Sequence, residues 1–395
     1  MSHPIHRMDQ ADLPRVLSVV AAAGGTRRTE ASWQQDAMTA LVLGPREAPG
    51  ALMPISRRLV QVAPGRVLQA GWVSSNQFAS RMGLRRQSRG TEAHWAELLP
   101  EIDALLVVRR DEPSLAGRWY SQVGFHEVLA IRCLYLEMDA PPAAAAGRYH
   151  VQVVGPEQIS TWSNQMAQVY REVFGNYGGA VMRSAPFWGP ALADHFYKEH
   201  YQFQVIGLWA NESLMGYAVV GWSGWHSKRP RMDILELATR QWDTQVAQEL
   251  IQTTCQLAWG KGVAQVRAVV SVHDPYRPHL ARVGFADRWG YAMQAKWLHP
   301  QRYLDKAAAT EGVELFSPGA VPLHIGPADA QPQTPRVQAD PRTLTRLLLQ
   351  RVDIAAGLRD GSLVAVEAGS AELASSRLSM ALPWTPWIFH MLDFI

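Results

Sequence analysis

Two stretches about 160 residues apart end in the same way, and this constrains the chain more than any other feature. Trp119-Tyr120-Ser121-Gln122-Val123-Gly124-Phe125 is matched by Pro278-His279-Leu280-Ala281-Arg282-Val283-Gly284-Phe285. Each reads as a short helix stopped by glycine, then an aromatic that opens a strand. The elements ahead of each stretch also repeat. Before the first, Ile5 opens a short strand and Leu13, Leu17 and Val20 follow at helical spacing. Strand-like runs then occupy 40–43, 59–62, 67–73 and 105–108, with a helical face through Leu84, Ser88, Thr91, Trp95 and Leu98 between the last two. Before the second, strands are expected at 149–154, 203–208, 215–220, 233–237 and 266–272, with a long helix carrying Val246, Leu250, Thr254 and Leu257 on one face. A duplicated α/β unit accounts for both halves.

The two halves join at Ala140 to Gly147, a run of alanines and prolines with no amphipathic face, which suits a linker. A second break, Ser317 to Asp340, is proline-rich and poor in large apolar residues, and reads as a linker or a loop-rich domain entry. After it, Leu344, Leu347 and Leu348 lie on one side of a helix, followed by the turn Asp360-Gly361. With 395 residues the chain exceeds one hydrophobic core, and 47% apolar against 18% charged residues is the balance of a folded protein. The expected domains are 1–140, 148–305 and 310–395.

Charge and cysteine usage exclude several classes. A formal net charge of +3 spread along the chain is too small for a nucleic-acid footprint. Cys133 and Cys255 stand far apart, so neither a disulfide framework nor a zinc site is indicated. His94, His126, His273 and His279 form no pair at metal-ligand spacing, and no metal is assigned. No run approaches a membrane span and the N-terminus has no apolar signal, so the expectation is a cytoplasmic protein with no membrane span.

The helix, Gly-Phe and strand ending resembles the last helix and strand of GNAT-superfamily acetyltransferases. Order and length resemble the enhanced intracellular survival family within it: a GNAT domain, a degenerate second one, and a sterol-carrier-like domain. The implied fold class is α/β (α+β), two tandem mixed-sheet GNAT-like domains with a small C-terminal sterol-carrier-like α+β domain. The implied activity is transfer of an acetyl group from acetyl-CoA to a primary amine of a small molecule or peptide. The resemblance also implies homo-oligomers.

Residue roles follow from the same resemblance. Tyr120, four residues before Gly124, takes the place of the family's general acid; the second half has Leu280 there, so the first half carries any catalysis. The carboxylate of Ile395, at the end of the apolar Met391-Leu392-Asp393-Phe394-Ile395, takes the place of the base. A strand that loses its partner can pair with the pantetheine arm, and helix-start N–H groups can hold the pyrophosphate. Val73, Ser74 and Ser75 fit that strand; Arg81, Met82, Gly83, Leu84, Arg85 and Arg86 fit the loop and helix start. Arg81-Met82-Gly83 is one residue short of the usual loop spacing, and Gln87 to Glu92 has the spacing but ends in Glu. The earlier register leaves a helix of proper length before Leu105. Read from residue type alone, Tyr120 is more often a packed aromatic than an acid, and Arg85, Arg86 and Arg89 more often a solvated helix face than a phosphate site. Two other functions stay open: a catalytically inactive GNAT-fold binding or regulatory module, and a carrier whose last domain binds an apolar ligand.

Overall fold

A computed structural model describes residues 5–8, 12–15, 18, 38–43, 51–73, 92–111, 115–193, 202–223, 230–306, 312–326, 334–366 and 370–390. Along the first half run β1 (Ile5–Arg7), β2 (Met38–Leu43), β3 (Ala51–Ala63), β4 (Arg66–Val73), β5 (Ala104–Arg110), α1 (Leu115–Gln122) and β6 (His126–Glu137). The second half holds β7 (His150–Val154), α2 (Ser163–Phe174), β8 (Gln202–Ala210), β9 (Ser213–Ser223), β10 (Arg231–Thr239), α3 (Thr244–Gly260), β11 (Gln265–Ser271), α4 (Arg277–Val283) and β12 (Ala286–Trp297). Then come β13 (Val313–Phe316), β14 (Leu323–Ile325), β15 (Arg336–Ala339), α5 (Pro341–Leu348), α6 (Ile354–Asp360), β16 (Leu363–Ala365) and α7 (Ala371–Ala381). Each strand expected from the sequence falls on an observed one, and residues 141–148 carry no regular structure.

The chain divides into two compact units, Met1–Leu129 with Ala292–Pro386, and Ala130–Tyr291 with Trp387–Ile395. The division passes through β6 and β12, so each unit includes a part of both strands. In the first unit β1, β2, β3 and β4 pair antiparallel in sequence order, and β4 then pairs β5 in parallel. In the second, β7, β8, β9 and β10 repeat that order, β10 pairs β11 in parallel, and β11 pairs the second half of β6. The parallel strands are buried on both faces, which is why their sequences, Ala-Leu-Leu-Val-Val and Ile-Leu-Glu-Leu-Ala, lack polar alternation.

The duplication shows most sharply at two helix ends. Gly124 and Gly284 sit in the left-handed region at φ 88° and 106°, and the following aromatics close the same loop: Phe125 N donates to Tyr120 O at 2.9 Å, Phe285 N to Leu280 O at 3.1 Å. Only glycine adopts that backbone at little cost, so the repeated Gly-Phe is set by geometry.

The first unit also holds a four-stranded sheet, β14-β13-β15-β16, so the stretch from Ser317 to Asp340 contributes two of its strands, Leu323–Ile325 and Arg336–Ala339. Asp340 caps α5, its Oδ1 accepting from the Arg342 and Thr343 amides at 2.8 and 3.0 Å ahead of Pro341.

Candidate functional site

In the first unit β4 and β5 pair from Ala70/Ala104 to Trp72/Leu106. The register is pinned from below by Asp103. Its buried carboxylate accepts from the Gln69 amide at 3.0 Å and from Arg302 at 2.7 Å, with Lys306 at 3.4 Å. Gly71 lets the layers approach: a Cβ there would lie 2.7 Å from Leu105, 2.8 Å from Ile55 and 2.9 Å from Ile102. Val73 ends the described part of β4, and it shares one buried cluster with Trp95, Leu105, Trp119, Tyr120 and Phe125.

Tyr120, on α1, is 1% exposed, with ring centroids 4.8 Å from Trp119 and 5.1 Å from Phe125 in edge-on contacts. Burial raises its hydroxyl well above the ordinary phenol value, so the group stays protonated across the neutral range. One residue that the sequence did not signal stands beside this helix. Lys296, on β12, donates to Val123 O at 2.6 Å and lies 5.0 Å from the Trp95 ring centre. It caps the carbonyl end of α1, a favourable place for a cation. Burial lowers its pKa, partly offset by Glu92. No local pattern marks it, since it is 173 residues from its partner.

Of the expected site residues, Val73 of the coenzyme strand and Tyr120, the expected acid, are brought into one cluster. Ser74, Ser75, Arg81, Met82, Gly83, Leu84, Arg85 and Arg86 lie outside the described residues, as does Ile395.

The second unit shows its strand gap in full. Parallel pairing of β10 with β11 runs from Arg231/Gln265 only to Ile234/Ala268. A bulge between Ile234 and Glu236 then swings β10 away. Asp233 and Glu236 lie on either side of that bulge. Asp233 takes a two-pronged bond from Arg267 at 2.7 and 2.9 Å and a second from Arg231. Glu236 is buried and accepts from Trp188 Nε1 at 2.9 Å, Tyr217 OH at 2.7 Å and Arg183. Burial alone would raise its pKa, but Arg183, then His390, and the bonds from Tyr217 and Trp188 outweigh that and hold it below the ordinary value. Arg183 is in turn stacked 4.5 Å from the Tyr170 ring centre and 4.4 Å from that of Phe187.

Beyond β11, Asp274 is buried at the rim of the gap, accepting from the Tyr276 amide at 2.8 Å. Burial pushes its carboxyl up to about 7, with the amide bond opposing. Tyr276 in turn accepts from the Thr239 amide at 2.8 Å.

No family model matches the sequence, and no curated protein matches it. Solved structures do. A conserved protein of unknown function from Enterococcus faecalis aligns at TM-score 0.69 and 12% identity, over 95% of this chain and 96% of that one. A GCN5-related N-acetyltransferase from Kribbella flavida aligns at 0.63 and 15%, over 100% and 99%. The chain has the GNAT fold. Eis1 from Mycobacterium abscessus aligns at 0.58 and 14%, over 97% and 98%, so the tandem architecture expected from the sequence is found at the level of the fold. Within the GNAT fold the two parallel pairs, β4 with β5 and β10 with β11, are the equivalent strand pairs of the two repeats. Tyr120 and Leu280 occupy equivalent helix ends.

Proposed function

We propose that this protein is an acetyl-CoA-dependent N-acetyltransferase whose first repeat moves the acetyl group to a primary amine. The observation that carries the reading is the placement of Tyr120. Its phenol is held protonated on the helix that follows the parallel pair, in the same cluster as the end of β4. In the reaction a neutral amine attacks the thioester carbon, the C–N bond forms, and the C–S bond breaks. Tyr120 supplies a proton to the departing thiolate, and the amine's proton passes to a base. By resemblance that base is the Ile395 carboxylate, and Val73 to Ser75 with Arg81 to Arg86 hold the coenzyme. The small four-stranded sheet and its helices are read as the sterol-carrier-like domain.

A second reading is a GNAT-fold binding module without catalysis. The nearly complete burial of Tyr120 favours it, because a phenol packed among Trp119 and Phe125 serves the core equally well. Calorimetry with acetyl-CoA separates the two. Micromolar binding that is lost on Arg81→Ala together with Gly83→Val supports the transferase. No heat of binding to the intact chain rejects it.

A further inference from the structure

The gap opened between β10 and β11 is already filled by the chain itself. Phe389 and His390 line it together with Glu236, Leu237, Val270 and Tyr276, leaving a cavity of 20 Å³. That is room for about one water and for no thioester arm. The filling segment is seated by directional bonds as well as by apolar burial. Ser271 Oγ, at the end of β11, donates to Trp387 O at 2.8 Å, and Ile388 N donates to Gly178 O at 2.9 Å. Gly178 and Trp387 form a parallel bridge. Gly179, at φ 81°, accommodates the passage, since a Cβ there would stand 2.3 Å from Ile388 O. Trp387, Ile388, Phe389 and His390 are all buried, and the His390 ring centre is 4.4 Å from that of Phe174.

Main-chain pairing that fixes a segment's direction, with pockets taking its side chains, is how a protein recognises an extended peptide. We propose that the strand gap of the second repeat is a peptide groove whose resident ligand is the chain's own Trp387–His390 segment, so that this repeat takes up no coenzyme. The inference rests on the GNAT fold and not on the proposed activity. It gives the degenerate repeat a task, which is to grip the chain close to its C-terminus.

Hydrogen exchange on the full chain tests it. The Ile388 amide is expected to exchange far more slowly than in an unstructured peptide. Ser271→Ala and Phe389→Ala should each speed it by about tenfold or more while the amides of β9 stay protected. Native mass spectrometry with coenzyme A as the probe should show no more than one molecule per chain. An Ile388 amide exchanging at the free-peptide rate overturns the proposal, as does a second bound coenzyme accompanied by loss of Ile388 protection. A chain that binds no coenzyme at all but keeps Ile388 protected sinks the transferase reading and leaves the groove standing.

Discussion

Asp274 offers a test of the second repeat that needs no substrate. Its carboxyl is buried beside the filled gap, and its pKa is raised by burial from 3.8 to about 7. A group whose folded pKa lies above its unfolded value leaves the fold most stable at low pH, and that stability is lost as pH rises toward the folded pKa. Between pH 4 and pH 7 the native state holds a proton that the unfolded chain has released, and each pH unit there costs about 1.4 kcal/mol. The full penalty above pH 7 is therefore on the order of 4 kcal/mol, against about 1 kcal/mol at pH 4.5. Asp274→Asn removes it at nearly the same shape, and the amide oxygen can still accept from the Tyr276 amide, which now bonds Oδ1 at 2.8 Å. Urea unfolding of both chains at pH 4.5 and pH 8 should show the variant's advantage growing by about 3 kcal/mol between the two. An advantage equal at both pH values, or a variant that is less stable at pH 8, would show that Asp274 is solvated and that the gap is not closed over it.

Three further perturbations follow from other contacts. Arg183→Met strands the buried Glu236 carboxylate and should cost about 3–5 kcal/mol in urea unfolding, with a large part recovered in the double variant with Glu236→Gln; full additivity of the two changes would contradict the pairing. Gly71→Ala forces a Cβ within 2.9 Å of three core side chains and should lower stability by about 1–3 kcal/mol, whereas Gly65→Ala, with open space around it, acts only through its backbone at φ 73°. Tyr120→Phe keeps the ring contacts and should reduce thiol release with an amine acceptor by roughly 10²–10⁴-fold with little change in melting temperature; unchanged turnover would assign Tyr120 to packing alone.

What could be read beforehand was whatever short-range chemistry encodes. The strands of both repeats are runs of apolar, β-branched residues, and the Gly-Phe endings announce a left-handed cap whose hydrogen bonds span five residues. Asp340 and Pro341 mark a helix start by the same local logic. What could not be read depends on partners distant in the chain. Arg183 finds Glu236 across 53 residues, and Ser271 finds Trp387 across 116. Likewise, no periodicity in β6 or β12 tells that the first and last parts of each strand belong to different compact units. Trp387 to His390 are buried, and which surface receives them was not encoded locally.

The two repeats thus share a scaffold and differ where chemistry would occur. At the equivalent helix end the first has a phenol and the second a buried leucine, which can neither give nor take a proton. At the equivalent strand pair, the second closes its gap with Phe389 and His390 and places a satisfied ion pair, Glu236 with Arg183, next to it. A buried carboxylate already bonded to an arginine, a tyrosine and a tryptophan is committed to structural partners on both of its oxygens, so it serves the packing of that repeat. If duplication freed one copy from catalysis, the expected consequence is this division of labour: the copy that keeps the phenol is left to react, and the copy without it holds the Trp387–His390 segment.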